Sequence, residues 1–237
     1  MNYAELARQQ NISTSAILEE SLRDKDCILA LTKSYCFVND ISLCVSLVSG
    51  RRESKLILHS IKEYQFALFA LNQGFYRHAF SALRLSFELA LSAIEFSANE
   101  IALRQWEQGS YDVSWGRIVN PDAGIFSNNF LKSFSAGVDD KGQHFRSLAE
   151  KVYRECSEYV HGNASTHCDL PVDINFSKNC VIDWCEKAAV IHMVVLFSFF
   201  SRYLNDMTES ERRKVESPFL ENLGYIKSVR VIFGAAI

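Results

Sequence analysis

Arg154 and His161, near the end of a segment with an apolar stripe, are the residues of this chain best suited to chemistry. The imidazole of a histidine exchanges a proton near neutral pH, so it can serve as a general acid or base. The planar guanidinium of an arginine binds oxyanions and stabilises negative charge. The two residue types together indicate a site that moves a proton beside a bound anion.

The spacing of this pair limits how the two side chains can meet. On a helix, Arg154 and His161 differ by roughly 20° around the axis and about 10 Å along it. With Lys151 and Glu158 they form a polar stripe at steps of three and four residues. Within one chain, Arg154 and His161 can share a small site only if their side chains extend far along the helix. All side chains lean toward the helix N-terminus, so the distance between the two is not shortened. A simpler interpretation also stands: such stripes are commonly solvated, and the helix dipole favours a histidine at a C-terminus.

Apolar periodicity predicts a helical hairpin that supports the polar stripe. Apolar residues recur every three to four positions over 53–73 and over 76–99. Gly74, between these segments, offers the left-handed residue that ends a helix. Two long helices joined by a glycine turn form an antiparallel pair.

Further helices follow in the second half of the chain. The helix that carries Arg154 is predicted over 143–161, with Gly162 ending it. A strongly apolar helix is predicted over 182–204. Thr208 and Glu211 then form a capping box that opens a short charged helix.

The remaining segments are less regular. Glycines interrupt residues 106–142, which predicts a loop-rich insertion with one or two short helices, interpreted as a lid or specificity loop. Residues 15–31 are predicted as one helix, 37–48 as helix or strand, and 172–176 as a brief extended piece. The predicted fold is all-α, an antiparallel bundle of four to five long helices.

Three regions are expected along the chain. Residues 1–52 form an N-terminal extension that packs on the bundle, 53–206 form the bundle itself, and 207–237 form a C-terminal helical appendage. Nearly half of the 237 residues are apolar and only three are proline, which favours long packed elements. The net charge of −3 argues against a globally basic nucleic-acid binder and leaves room for a local basic patch.

The sequence also predicts the location of the protein, the state of its cysteines and whether it binds a metal ion. The first residues lack an apolar signal core, and the longest apolar run, 188–200, contains His192 and is too short to span a bilayer. We therefore expect a soluble cytoplasmic protein with no membrane partner. The seven cysteines form no C-x-x-C pair, so buried thiols in a reducing compartment are expected, with no metal site and no cofactor.

The segment from Tyr153 to Gly162 contains R-x6-H near the end of a helix in an all-α chain. It resembles the HEPN superfamily, whose ribonuclease members carry R-x4-6-H within a bundle of four or five helices. The resemblance covers residues 53–206, through helix arrangement and this one motif. Catalytic members usually have Asn, Asp or His directly after the arginine, whereas this chain has Glu155.

The resemblance implies a metal-independent endoribonuclease, toxin- or antiphage-defence-like. In that scheme His161 acts as general base or acid on the ribose 2′-hydroxyl, and Arg154 stabilises charge on the phosphoryl oxygens. The products are a 2′,3′-cyclic phosphate and a 5′-hydroxyl. In-line displacement needs an acid and a base on opposite sides of the phosphate, and one histidine cannot occupy both positions. We therefore expect a homodimer with this helix at its two-fold interface.

Other polar residues are candidates for supporting roles. Glu155, Ser157 and Glu158 fall between the motif residues and are candidate helpers at the site. Arg84 and Glu88, at positions i and i+4, are expected to form an internal ion pair that is structural or braces the motif helix.

Two rival functions remain open. The chain could be a catalytically inactive HEPN-like module that serves as a binding or regulatory subunit, docking partners through its N-terminal extension or its apolar C-terminus. It could also be an enzyme of unrelated chemistry, with its site in a pocket between helices. If the chain is the ribonuclease that the resemblance implies, its partners are RNA, a second copy of the chain, and an antitoxin or defence-system protein.

Overall fold

The computed structural model describes residues 2–135, 137–161, 163–164, 166 and 170–235. These residues contain no strand, including at 172–176, so the predicted all-α class is confirmed. They form twelve α-helices, with bounds α1 Tyr3–Ser21, α2 Lys25–Leu47, α3 Ser54–Asn72, α4 Tyr76–Ser97, α5 Glu100–Glu107, α6 Trp115–Ile118, α7 Asn128–Phe134, α8 Gly142–His161, α9 Lys178–Tyr203, α10 Glu209–Arg213, α11 Glu216–Leu223 and α12 Lys227–Ile232.

The α3–α4 hairpin turns at Gly74, as predicted. Gly74 has a φ of +75°, in the left-handed region that favours glycine. A Cβ at this position would stand 2.6 Å from Cδ1 of Ile17, so the turn also lets α1 approach closely. A larger residue here would strain the backbone and push α1 outward.

Helix α9 is the central element of the bundle, because it packs against α2, α4 and α8. The outer helices form successive pairs, α2 on α3, α3 on α4, and α4 on α8. Aromatic stacking joins these layers, with ring centroids 3.7 Å apart for Phe145 and Phe197, 3.9 Å for Phe80 and Tyr159, and 4.0 Å for Phe37 and Tyr64.

The prediction of one helix over residues 15–31 is wrong. The chain breaks between α1 and α2, where the Asp24 side chain accepts hydrogen bonds from the backbone N–H groups of Asp26 and Cys27 and caps α2. Lys178, at the start of α9, lies 2.7 Å from Asp24 and 2.6 Å from Asp26. This ion pair ties the beginning of α2 to the beginning of the central helix.

The two N-terminal helices differ in how they pack. Helix α1 buries only Thr14, Ile17 and Ser21, so it lies on the edge of the bundle. Helix α2 contributes buried side chains such as Phe37 and Ile41 to the same core as α3 and α9. Among the described helices, α2 alone is long and apolar enough to cross a membrane by composition, with a third of that window buried here.

The C-terminal region and the cysteines behave largely as expected. The Thr208–Glu211 capping box is confirmed, with Glu211 accepting from the Thr208 backbone N–H at 2.8 Å. Of the six described cysteines, five are buried and Cys36 is exposed. Cys168 and the expected helix-ending Gly162 lie outside the described residues.

Candidate functional site on the outer face of α8

One face of α8 is buried in the bundle, and Arg154 and His161 lie on the opposite face. Buried residues recur along the helix at steps of four and three: Phe145, Ala149, Val152, Cys156 and Tyr159. At about 100° per residue, the centre of this stripe lies roughly 180° around the axis from Arg154. Arg154 and His161 are accordingly both exposed. Within the described residues of one chain, both side chains therefore face solvent.

The polar atoms of this pair are available to another molecule. Within the part of the chain that the structure describes, the side chains of Arg154 and His161 have no hydrogen bond, ion pair or ring contact. The guanidinium retains its five N–H donors, and the imidazole retains both ring nitrogens. A phosphate or a second protein surface could use these groups without breaking an existing contact.

Glu155, which follows the motif arginine, is directed toward α9. Its carboxylate lies 3.7 Å from Nζ of Lys187 and 3.9 Å from Nζ of Lys151. Glu155 is about 100° around the helix from Arg154. It therefore connects α8 to α9 and lies beside the exposed face that carries Arg154 and His161.

Lys187 is the largely buried partner in this connection, with 14% of its side chain exposed. Its ammonium also pairs with Asp183, one turn earlier on α9. Burial lowers the pKa of Lys187, but the hydrogen bond and negative charge of Asp183, together with Glu155, outweigh burial and raise the pKa overall. Lys187 therefore stays charged and holds both carboxylates.

Ser157 and Glu158 have different environments. The Ser157 hydroxyl donates to the Tyr153 carbonyl at 2.7 Å, a bond within the helix itself. Glu158 lines an open hollow of about 610 Å³ between α8 and the first turns of α9, together with Glu155 and Asp183. The hollow flanks the polar stripe, and its three carboxylates outnumber the one ammonium in its described lining, that of Lys187, so it repels phosphate.

The expected ion pair of Arg84 and Glu88 is confirmed, and it reaches the motif helix. The charged groups lie 3.6 Å apart on α4. Arg84 donates to the Tyr153 hydroxyl on α8, which donates in turn to Glu88 at 3.1 Å. Trp115 of the insertion stacks on the Tyr153 ring at 3.7 Å. Tyr153 thus joins α4, the insertion and the motif helix.

Replacing Tyr153 with phenylalanine tests this junction. We expect the free energy of unfolding in urea to fall by about 1 kcal/mol, because Arg84 and Glu88 lose their shared hydroxyl while the Trp115 stack remains. As a matched control, Tyr35→Phe removes an exposed hydroxyl that accepts one hydrogen bond from Asn72, and should change stability less. Equal effects of the two substitutions would show that the junction contributes nothing beyond an ordinary surface hydrogen bond.

One contact near the motif could not be expected from sequence. Arg77, at the start of α4, donates to the Tyr159 backbone carbonyl at 2.7 Å. A basic side chain at this place stabilises the last turn of α8, since the final carbonyls of a helix lack partners within it. Arg77 therefore supports the turn that carries His161. The sequence shows Arg77 only as a charged residue near the start of an apolar helix, which does not indicate this contact.

The chain was compared with known proteins by sequence and by fold. No family model matches it, and neither the curated proteins nor the solved structures give a match.

Proposed function

We propose that the chain is a HEPN-type endoribonuclease that cleaves RNA at a site formed where two copies of α8 face each other. The observation that carries the proposal is the exposure of Arg154 and His161 on the face of α8 opposite the core, where neither side chain has a hydrogen bond, ion pair or ring contact with the described residues. The described residues of its own chain do not enclose a catalytic pair placed there. A second copy supplies the enclosing wall.

A two-fold arrangement of antiparallel helices satisfies the spacing of the motif. When the axis passes between Ser157 and Glu158, Arg154 of each copy faces His161 of the other. The separation of about 10 Å along one helix is then no obstacle, because the groups that meet belong to different chains. Both histidines and both arginines surround a single position on the axis.

Such a position suits in-line displacement at an RNA phosphodiester. One His161 takes the proton from the ribose 2′-hydroxyl as its oxygen forms a bond to phosphorus. The bond from phosphorus to the 5′-oxygen breaks, and the second His161, protonated, donates its proton to that oxygen. The two Arg154 side chains stabilise the charge on the non-bridging oxygens. The products are a 2′,3′-cyclic phosphate and a 5′-hydroxyl.

The chemistry of the product ends tests the reaction. A single-stranded RNA incubated with the purified chain in EDTA should yield fragments that end in a cyclic phosphate, detectable by mass spectrometry. A 2′-O-methyl RNA of the same sequence is the matched control and should stay intact, because it lacks the attacking hydroxyl. Cleavage of the methylated RNA would refute the assigned nucleophile, and loss of cleavage in EDTA would refute the metal-independent mechanism.

Mixing of chains tests the shared site. In dimers formed from equal amounts of wild type and His161→Ala, we expect about a quarter of wild-type activity, because only the dimers with two intact chains work. Sites that act independently in each chain would retain about half. Sedimentation of the mixture should show dimers throughout, and monomeric active protein would contradict the proposal.

The rival function, an inactive binding module, is favoured by a separate observation. Leu58, Phe66 and Phe69 on the outer side of α3 are 53%, 51% and 65% exposed. Exposed apolar groups on one helix are typical of surfaces that dock another protein, such as an antitoxin. A chain that cuts no RNA, and that loses a stable protein partner on Phe69→Ser, would favour this function over the nuclease.

A further inference from the structure

We propose that a polar cavity between α2, α9 and α11 binds a small protonated amine. The cavity has a volume of about 320 Å³ and lies on the side of α9 that faces α2, away from α8. Its volume is at the lower end of the range for small-molecule sites. The proposal is independent of the nuclease function.

The walls of the cavity combine small and aromatic side chains. Ala188 and Ala189 line it from α9, and their small size leaves the space open. Tyr64 forms the apolar part of the lining and is fully buried beneath its stack with Phe37. The Tyr64 hydroxyl donates to the Ser34 carbonyl at 2.9 Å, so it already has its partner. This lining suits a short hydrocarbon chain.

The polar centre of the cavity is His192 with Asp40. His192 is 6% exposed, and its ring packs edge-on against Phe37 with centroids 5.3 Å apart. Its Nε2 lies 3.1 Å from the Asp40 carboxylate, yet it forms no hydrogen bond, because the approach is off the line that an N–H···O bond requires. A buried ring nitrogen without a hydrogen bond is costly, and a bound donor group would remove that cost.

The charges around this centre select a cation. Asp40 and Glu221 line the cavity from α2 and α11, whereas Lys33 is the one ammonium in its lining among the described residues. Among the described residues, His192 is the only side chain whose nitrogen comes within ion-pair distance of the Asp40 carboxylate. With its ring proton on Nδ1, His192 offers an acceptor beside the Asp40 carboxylate. An ammonium group has three N–H donors, so it satisfies both acceptors at once.

Other ligand classes fit the cavity less well. An anion would meet two carboxylates. For a metal ion, no group of three or more suitable ligands occurs among the described residues. The amide of Asn222 donates to the Pro218 carbonyl and the Glu221 carboxylate accepts from Ser217, so part of the rim is already engaged. A short alkyl amine or diamine, with its carbon chain on Ala188 and Tyr64, fits both the lining and the charge.

Calorimetric titration of the intact chain with 1,4-diaminobutane tests the proposal. Saturable binding is expected, whereas 1,4-butanediol, of the same length and uncharged, and succinate, of opposite charge, should not bind. Asp40→Asn keeps the shape of the side chain and should weaken diamine binding at least tenfold, because the charged acceptor is lost. Lys33→Ala removes the repelling ammonium and should strengthen binding.

A second variant guards against a folding defect in Asp40→Asn. Ala189→Leu, at the exposed mouth, narrows the cavity and leaves the Asp40 residue unchanged, so it should also abolish binding while the circular dichroism and melting temperature stay those of the wild type. Equal binding of diol and diamine, undiminished binding in Asp40→Asn, or a Lys33→Ala variant that binds more weakly would each overturn the proposal. So would the absence of binding by all three probes, since the cavity would then hold only water.

Discussion

Replacing His161 with alanine is expected to reduce RNA cleavage by about a thousandfold, the usual contribution of general acid–base catalysis. Arg154→Ala should cause a loss of similar size, because the guanidinium stabilises charge that develops only in the transition state. Both side chains are exposed, and neither has a hydrogen bond, ion pair or ring contact with the described residues. The free energy of unfolding of either variant should therefore stay within about 0.5 kcal/mol of the wild type.

Single-turnover cleavage of a labelled RNA measures these effects. Ser147→Ala is a matched control, since Ser147 is an exposed residue on the same side of α8, two turns before Arg154. It should leave the rate unchanged. Arg154→Lys keeps the charge but loses the forked donors, so we expect it to recover only part of the rate. Wild-type rates in both alanine variants would remove the pair from the mechanism and assign cleavage to other residues, whereas a wild-type chain that cuts no RNA would favour the binding-module function.

The second large effect is expected from Lys187→Met, which should lower the free energy of unfolding by about 2 kcal/mol. Lys187 is largely buried and pairs with Asp183 and Glu155, so its removal leaves two carboxylates close together without the ammonium that they share. Methionine keeps most of the volume and the packing of the stem. The decrease in the free energy of unfolding therefore measures the contribution of the Lys187 charge.

Lys151→Met provides the matched control for this effect. Lys151 pairs with the same Glu155 at 3.9 Å, but 68% of its side chain is exposed. Exposed pairs contribute little, so a change below about 0.5 kcal/mol is expected. Chemical denaturation of both variants at neutral pH makes the comparison. If the two substitutions had the same effect, the link between α8 and α9 through Lys187 would be no stronger than a solvated ion pair.

The parts of the fold that follow local rules could be predicted from sequence. The hairpin bounds were expected at 53–73 and 76–99 and are Ser54–Asn72 and Tyr76–Ser97 in the structure. Apolar periodicity marks such helices, and Gly74 marks the turn because no other residue adopts its backbone conformation as readily. The break between α1 and α2 carried no glycine or proline. Its signal was a single capping aspartate, Asp24, which is easily overlooked within an apolar pattern.

The surroundings of the motif depend on contacts between distant segments, which no local pattern encodes. The sequence placed Glu155 next to Arg154, but its direction is set by Lys187 on another helix. Arg77 donates to the carbonyl of Tyr159, 82 positions away, and the sequence around neither residue indicates that contact. The composite site stays a prediction, since it involves a second chain.

The central position of α9 has a consequence for how the protein is made. Its second half is buried almost throughout, from Ile191 to Tyr203, and it covers the inner faces of α2, α4 and α8. Those faces are synthesised first. Because synthesis proceeds at roughly 5–20 residues per second, the apolar side of α2 stays uncovered for on the order of 10 s before α9 leaves the ribosome. The nascent chain is thus a natural client for chaperones, and ribosomes that stall before Lys178 should release aggregation-prone fragments.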